Sequence, residues 1–191
     1  MTAEPVGGLM WSPNPFKQQF ARYTVEDVLD LPDHAPRVEL TDGVLAVVPS
    51  PSFRHQKINW RLVNWLERHI PHGFEPQFAA GVLIDGDTTR EPDAMILLSP
   101  VELEHHFVMP EQVVVAIEIV SPGTRKRDRF EKPGLYASAG IPHYWRIEQN
   151  PLHIFAYDLV GDRYEAVADS AEELVLTKPF EIRLPIRDIA P

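Results

Sequence analysis

The sequence predicts a mixed α+β fold, with one central sheet, a helix before its acidic strands and a helix after them. Three observations carry this reading. The run Val113-Val114-Val115-Ala116-Ile117-Glu118-Ile119-Val120 is rich in β-branched side chains and ends at Ser121-Pro122-Gly123, as does a strand buried on both faces. A shorter apolar run, Ala94 to Leu98, follows Pro92-Asp93 and reads as a neighbouring strand. Helical segments near His55 to His69 and Thr124 to Ala139 bracket the two.

Taken in chain order, residues 1–20 contain several prolines and no periodicity, and read as an extended arm ahead of a single domain over residues 21–191. Thr24 is placed to cap a short helix ending before Pro32, with Asp27 at the capping-box position. Val38 to Val48 reads as a hairpin around Asp42-Gly43, with Glu39 on the opposite face from Val38 and Leu40. Ser52 caps the next helix, whose apolar stripe is Ile58, Leu62, Trp65, Leu66 and His69. Strands are expected at Phe78 to Ile84 and Ala94 to Leu98, joined through Asp85-Gly86-Asp87. Gly140 and Pro142 close the helix after Glu118, while Pro133 forces it to begin near Asp128 or to bend. His143 to Ile147, a hairpin from Leu152 to Ala168 and a last strand from Phe180 to Leu184 complete the chain.

Composition narrows the function. The chain has 191 residues, a net charge of −10, 44% hydrophobic residues and no cysteine. Its length fits one domain on the scale of about 100–200 residues. Disulfides and thiolate metal sites are excluded; the absence of cysteine accords with a cytoplasmic location. No apolar stretch is long enough to span a bilayer, so no membrane partner is expected. The acidic total opposes indiscriminate nucleic-acid binding, but Arg125, Lys126, Arg127, Arg129 and Lys132 form a basic cluster directly after the Glu118 strand. Such a cluster either binds phosphate or is a solvated helix face.

Glu118 is the chemically informative residue. An ionised carboxylate inside a buried strand costs several kcal/mol, of order ~3–5, unless a cation, metal or strong hydrogen bonds compensate. With Asp93 on an adjacent strand it makes a site for a hard divalent cation; the alternative is a purely structural ion pair. His55 lies on the core-facing side of its helix, as a hydrogen-bonded core residue or as a member of the site. Lys132 and Tyr136, four apart, share a helix face. His105-His106 read as surface loop residues.

Taken together, the order Arg37-Val38-Glu39-Leu40-Thr41-Asp42-Gly43, Pro49-Ser50-Pro51 with His55, Pro92-Asp93, Glu118-Ile119-Val120-Ser121-Pro122-Gly123-Thr124, Asp128-Arg129 with Lys132 and Tyr136, and Ala139 to Trp145 resembles the Uma-two family of endonuclease-like proteins, within the PD-(D/E)XK nuclease superfamily. The resemblance runs from about Tyr23 to Tyr157. It implies a restriction-endonuclease-like core, a central mixed sheet flanked by helices, with additional β-hairpins. It also implies a nuclease that hydrolyses phosphodiester bonds in nucleic acid, with DNA the expected form, using Mg²⁺ or Mn²⁺. Asp93, Glu118 and Lys132 would be catalytic, and Asp93, Glu118 and the Ile119 carbonyl would hold the metal. Glu39 is a candidate ligand for a second metal or an exposed strand acid, and His55 and Tyr136 are supporting residues. Arg125, Lys126 and Arg127 would guide the nucleic-acid backbone, and a homodimer is the family-level expectation.

Two departures from the pattern matter. The usual lysine position, two after the second acid, is Val120, and the lysine is carried instead by the following helix as Lys132. His143, Arg146 and Glu148 also depart from the family pattern, and are expected to affect a sheet edge more than the chemistry. The rival reading is a catalytically inactive nucleic-acid- or protein-binding module on a nuclease-like fold. Glycoside hydrolysis by the two acids ranks last, because aromatic-rich cleft segments are absent.

Overall fold

The computed structural model describes residues 22–32, 34–123 and 125–191. The arm expected over residues 1–20 and the helix start expected at Thr124 lie outside the described residues. Two compact units divide the described residues: those up to 49 with 85–89, and those of 50–84 with 90–191.

The first unit opens with α1 (Val25–Leu29), capped by a reciprocal box between Thr24 and Asp27 as its sequence predicts. β1 (Val38–Thr41) and β2 (Val44–Val47) follow, paired antiparallel with Thr41 opposite Val44. Asp42 and Gly43 both take positive φ, 46° and 74°, the conformation of a two-residue hairpin turn. At Gly43 a Cβ would lie 2.4 Å from Arg22 Cβ, so space as well as conformation selects glycine. The Leu40 N–H donates to Thr89 Oγ1 at 3.1 Å and the Gly43 N–H to the Asp87 carbonyl at 3.0 Å. Glu39 is buried, 1% exposed, which overturns its reading as an exposed strand acid.

The second unit is built on a six-stranded sheet. Its strands are β3 (Phe74–Phe78), β6 (Ala94–Leu98), β8 (Val113–Val120), β9 (His143–Gln149), β10 (Leu152–Val160) and β11 (Arg163–Ser170), in the order β11-β10-β9-β8-β6-β3. β8 runs antiparallel to β6 and parallel to β9, making the sheet mixed. Every residue of β8 is buried. Ile117 and Ile119 pack toward α2 (Phe53–His69), with Ile58, Leu62 and Leu66. Ala116 belongs to a second apolar cluster with Met95, Tyr136, Ile141 and Tyr144. Coverage on both faces explains why this strand reads as a continuous apolar run.

Several boundaries differ from the sequence reading. The strand expected at Phe78 to Ile84 is two strands, β3 and β4 (Gly81–Asp85), broken where Ala79 takes a φ of 56°. The Asp85-Gly86-Asp87 turn leads into β5 (Thr88–Arg90), not directly into β6. β4 pairs in parallel with the short β7 (Phe107–Val108). His69, placed on the apolar stripe, is exposed, with its ring stacked on Trp65 at a centroid distance of 4.0 Å. The last strand is β13 (Ile182–Pro185), paired with an unforeseen β12 (Glu173–Leu176) and followed by α4 (Ile186–Ile189). β9 is interior, so Arg146 and Glu148 do not lie on a sheet edge as expected.

The segment after β8 has a wide π turn over Arg127–Glu131 that leads into α3 (Lys132–Ser138). Pro133 accounts for the wide turn: it has no N–H for the Arg129 carbonyl, and its ring would clash there in a regular helix. Asp128, near which the helix is expected to begin, therefore lies buried within the turn. α3 ends at Gly140, φ 77°, with Ile141 N–H on the Tyr136 carbonyl and Gly140 N–H on the Ala137 carbonyl. This pair of bonds satisfies the helix's last carbonyls and requires the left-handed residue between them.

Candidate active site

Alternation along β8 places Glu118 on the same face as Ala116, under α3. The helix presents Lys132 and Tyr136, one turn apart, to that point. The Lys132 Nζ lies 2.9 Å from both Glu118 carboxylate oxygens, and the Tyr136 hydroxyl donates to Glu118 Oε1 at 2.6 Å. Lys132 Nζ is also 3.5 Å from Asp128 Oδ1. Asp128 is held in the turn by the Tyr144 hydroxyl, which donates to its backbone carbonyl at 2.6 Å.

Asp93 reaches the site from the residue before β6. Its Oδ2 accepts from the Ile119 N–H at 2.8 Å and lies 3.0 Å from His55 Nε2. One turn further along α2, Asn59 donates to the Asp93 carbonyl at 2.7 Å. His55 is itself positioned by the start of α2, where its N–H donates to the Ser52 hydroxyl. The hydrogen-bonded core histidine and the site residue are thus the same residue. Asp93 Oδ1 makes no hydrogen bond to a described residue, and the side chain is 14% exposed. One oxygen of the site is therefore anchored and the other open.

The two acids are tuned in opposite directions. Burial pushes the Glu118 carboxyl up to about 8; the Lys132 ammonium opposes this, while the charges of Asp93 and Asp128 reinforce it. Burial also acts to raise Asp93, but His55, Lys132 and the Ile119 N–H outweigh it and hold that carboxyl below its usual range. Glu118 and Asp128 thus share the Lys132 ammonium, while Asp93 is paired with His55. Hard carboxylate oxygens, one of them open, fit an ion such as Mg²⁺ or Mn²⁺. Among the described residues, no group of three or more His, Cys, Asp or Glu side chains is placed to share a metal. The fit therefore relies on the two acids, a backbone carbonyl and water.

Glu39 is on β1 of the first unit. Arg125 and Lys126 are exposed, Lys126 Nζ lies 3.4 Å from Glu131 Oε1, and Arg127 is half-buried. Sequence reasoning missed Asn59 and Asp128 as members of the constellation. Their signals are spacing alone: Asn59 follows His55 by four, and Asp128 precedes Lys132 by four.

The fold and the sequence place the protein. A solved structure described as a putative nuclease belonging to DUF820, from Anabaena variabilis, superposes with a TM-score of 0.69 at 21% identity. The match covers 87% of this chain and 96% of the other. No curated protein matches the chain. No helix among the described residues is long and apolar enough to cross a membrane. The sequence model of Uma2, described as putative restriction endonuclease, matches residues 25–187, so the chain belongs to the Uma2 family.

Proposed function

We propose that the protein is a divalent-metal-dependent nuclease that hydrolyses phosphodiester bonds, with DNA as its expected substrate. One observation carries the reading: Asp93 and Glu118, from neighbouring strands, converge with a lysine and a tyrosine from α3. Asp93, Glu118 and the Ile119 carbonyl would hold the cation. When bound, Mg²⁺ or Mn²⁺ would polarise the phosphate and make water a stronger nucleophile. Asp93 is oriented for this by the Ile119 N–H and His55, which occupy Oδ2 and leave Oδ1 free to ligate. Tyr136 fixes the rotamer of Glu118, and Lys132 supplies a buried positive charge for the phosphoryl oxygens. Because Lys132 comes from a helix, Val120 has no lysine role to fill. Arg125, Lys126 and Arg127 would attract the nucleic-acid backbone, and pairing of two copies would bring two centres to a duplex.

The second reading, a binding module without catalysis, is favoured by the occupation of both Glu118 oxygens by Lys132. Cleavage of single- and double-stranded DNA in Mg²⁺, Mn²⁺ or EDTA separates the two. Metal-dependent cutting should fall at least a hundredfold in folded Asp93→Ala, Glu118→Ala and Lys132→Ala. Cutting that persists in all three would remove this site from the chemistry; none by any sample would favour the binding module.

A further inference from the structure

Beside the candidate active site, α3 and the π turn present a second face. Lys132 and Tyr136 point to Glu118, whereas Arg129 and Pro133, four apart, line a pocket of about 250 Å³ against β9, β10 and β11. The pocket's floor is aromatic. Tyr144 stacks on Tyr157 at a centroid distance of 5.8 Å and packs at 5.5 Å from Tyr164. Tyr157 and Tyr164 remain half-buried, so their rings reach the pocket.

The charge in the pocket is incompletely matched. Glu148 Oε1 accepts from Arg129 Nε at 2.9 Å and also lies 3.4 Å from Arg146 Nε, so one carboxylate oxygen serves two guanidiniums. Arg146 donates no hydrogen bond to a described residue, and its Nε is buried. Its guanidinium is stacked 4.5 Å over the Phe155 ring and 5.7 Å from that of Tyr157, which fixes it in place. Toward the described residues Arg129 donates only through Nε. The remaining donors of both side chains suit bidentate recognition of an anion. Asp162 adds a carboxylate at the rim but is exposed to solvent. Fixed guanidiniums with spare donors beside aromatic faces match a ligand that is anionic at one end and planar at the other.

We propose that this pocket is a nucleotide subsite, with phosphate on Arg129 and Arg146 and a base against Tyr157 and Tyr164. In the strand form of the proposal, which rests on the nuclease reading, α3 holds the scissile region on its Lys132 face and a flanking nucleotide on its Arg129 face. The shared ligand chemistry is a nucleotide unit, either free or within a strand.

Binding measured by calorimetry in EDTA tests the pocket without any cleavage. The probes are inorganic phosphate, thymidine 5′-monophosphate and a hexathymidylate strand, with the full chain, the variants Arg146→Gln, Arg129→Gln and Tyr157→Leu, and Arg187→Gln as a charge-matched control at an exposed arginine outside the pocket lining. Thermal melts check folding, and Arg129→Gln, at a more exposed side chain, guards against loss of Arg146→Gln to misfolding. The expected result is at least tenfold weaker hexamer binding in the three pocket variants and little change in Arg187→Gln, with phosphate alone at least tenfold weaker than the mononucleotide. Tighter binding of the mononucleotide than of the hexamer would support the pocket but assign it to a free nucleotide and overturn the strand form. Unchanged affinities in folded Arg129→Gln and Tyr157→Leu would overturn the proposal, even if the protein cleaves DNA. Pocket-dependent binding with no cleavage in Mg²⁺ or Mn²⁺ would uphold the pocket while the nuclease reading failed.

Discussion

Glu118 places opposite demands on the fold at different pH. Its carboxyl is raised to about 8 by burial, against 4.5 for an exposed glutamate, so between those values the folded chain keeps a proton that the unfolded chain releases. Stability from this residue is full below pH 4.5 and is lost as pH rises toward 8, with a limiting slope of about 1.4 kcal/mol per pH unit. In Glu118→Gln that slope should vanish, leaving a flatter stability profile between pH 5 and 8, measurable by urea unfolding. A wild-type profile equally flat would mean that Lys132 keeps the carboxylate ionised throughout. Asp93 works the other way: its lowered carboxyl adds stability above its ordinary titration range, and that contribution is lost only in acid. Both acids were visible in the sequence because a charge inside an apolar run needs an explanation. Asn59 and Asp128 were not, since a polar residue on a helix turn has ordinary explanations, and Asp128 has the chemistry of a cap.

At the scale of elements, α3 delivers Lys132 to Glu118, and its two ends are set by proline and glycine. Gly140 holds a φ of 77° between the two bonds that close the helix. Gly140→Ala should cost about 1–2 kcal/mol from left-handed strain, read as a lower urea midpoint with unchanged slope. No loss would mean that the turn relaxes to another conformation. Capping residues, hairpin turns and apolar periodicity made α1, α2, β1, β2 and β8 legible, because each is governed by local chemistry. β3 was hidden because Pro76 argues against an interior strand, and it is tolerated here because β3 lies at the sheet edge. β12 was hidden by acids that read as a solvated surface, although Leu174 and Leu176 alternate into the core. The π turn depends on how Pro133 meets the preceding turn, which spacing alone does not specify.

For the molecule as a whole, the net charge of −10 must be reconciled with the polyanionic substrate proposed for it. A local basic segment does this if association is steered by a few side chains and weakens steeply with salt. Affinity for duplex DNA should fall log-linearly with salt, and Arg125→Ala or Lys126→Ala should each reduce the slope by about 1 without changing sequence preference. Slopes unchanged in both variants would exclude the segment from the interface. The family's fold was legible from the order of its motifs, whereas their division between two compact units was not, because residues 85–89 join the first unit from far along the chain.

The central question is whether Glu118 is a metal ligand or only the partner of Lys132. Calorimetric titration of Mn²⁺ into wild type, Asp93→Asn and Glu118→Gln addresses it directly. A ligand role predicts one site in wild type, at least tenfold weaker in each variant, with affinity rising as pH approaches 8 because the ion displaces a proton from Glu118. Equal Mn²⁺ affinity in wild type and folded Glu118→Gln would contradict it and leave the buried acid as a structural ion pair.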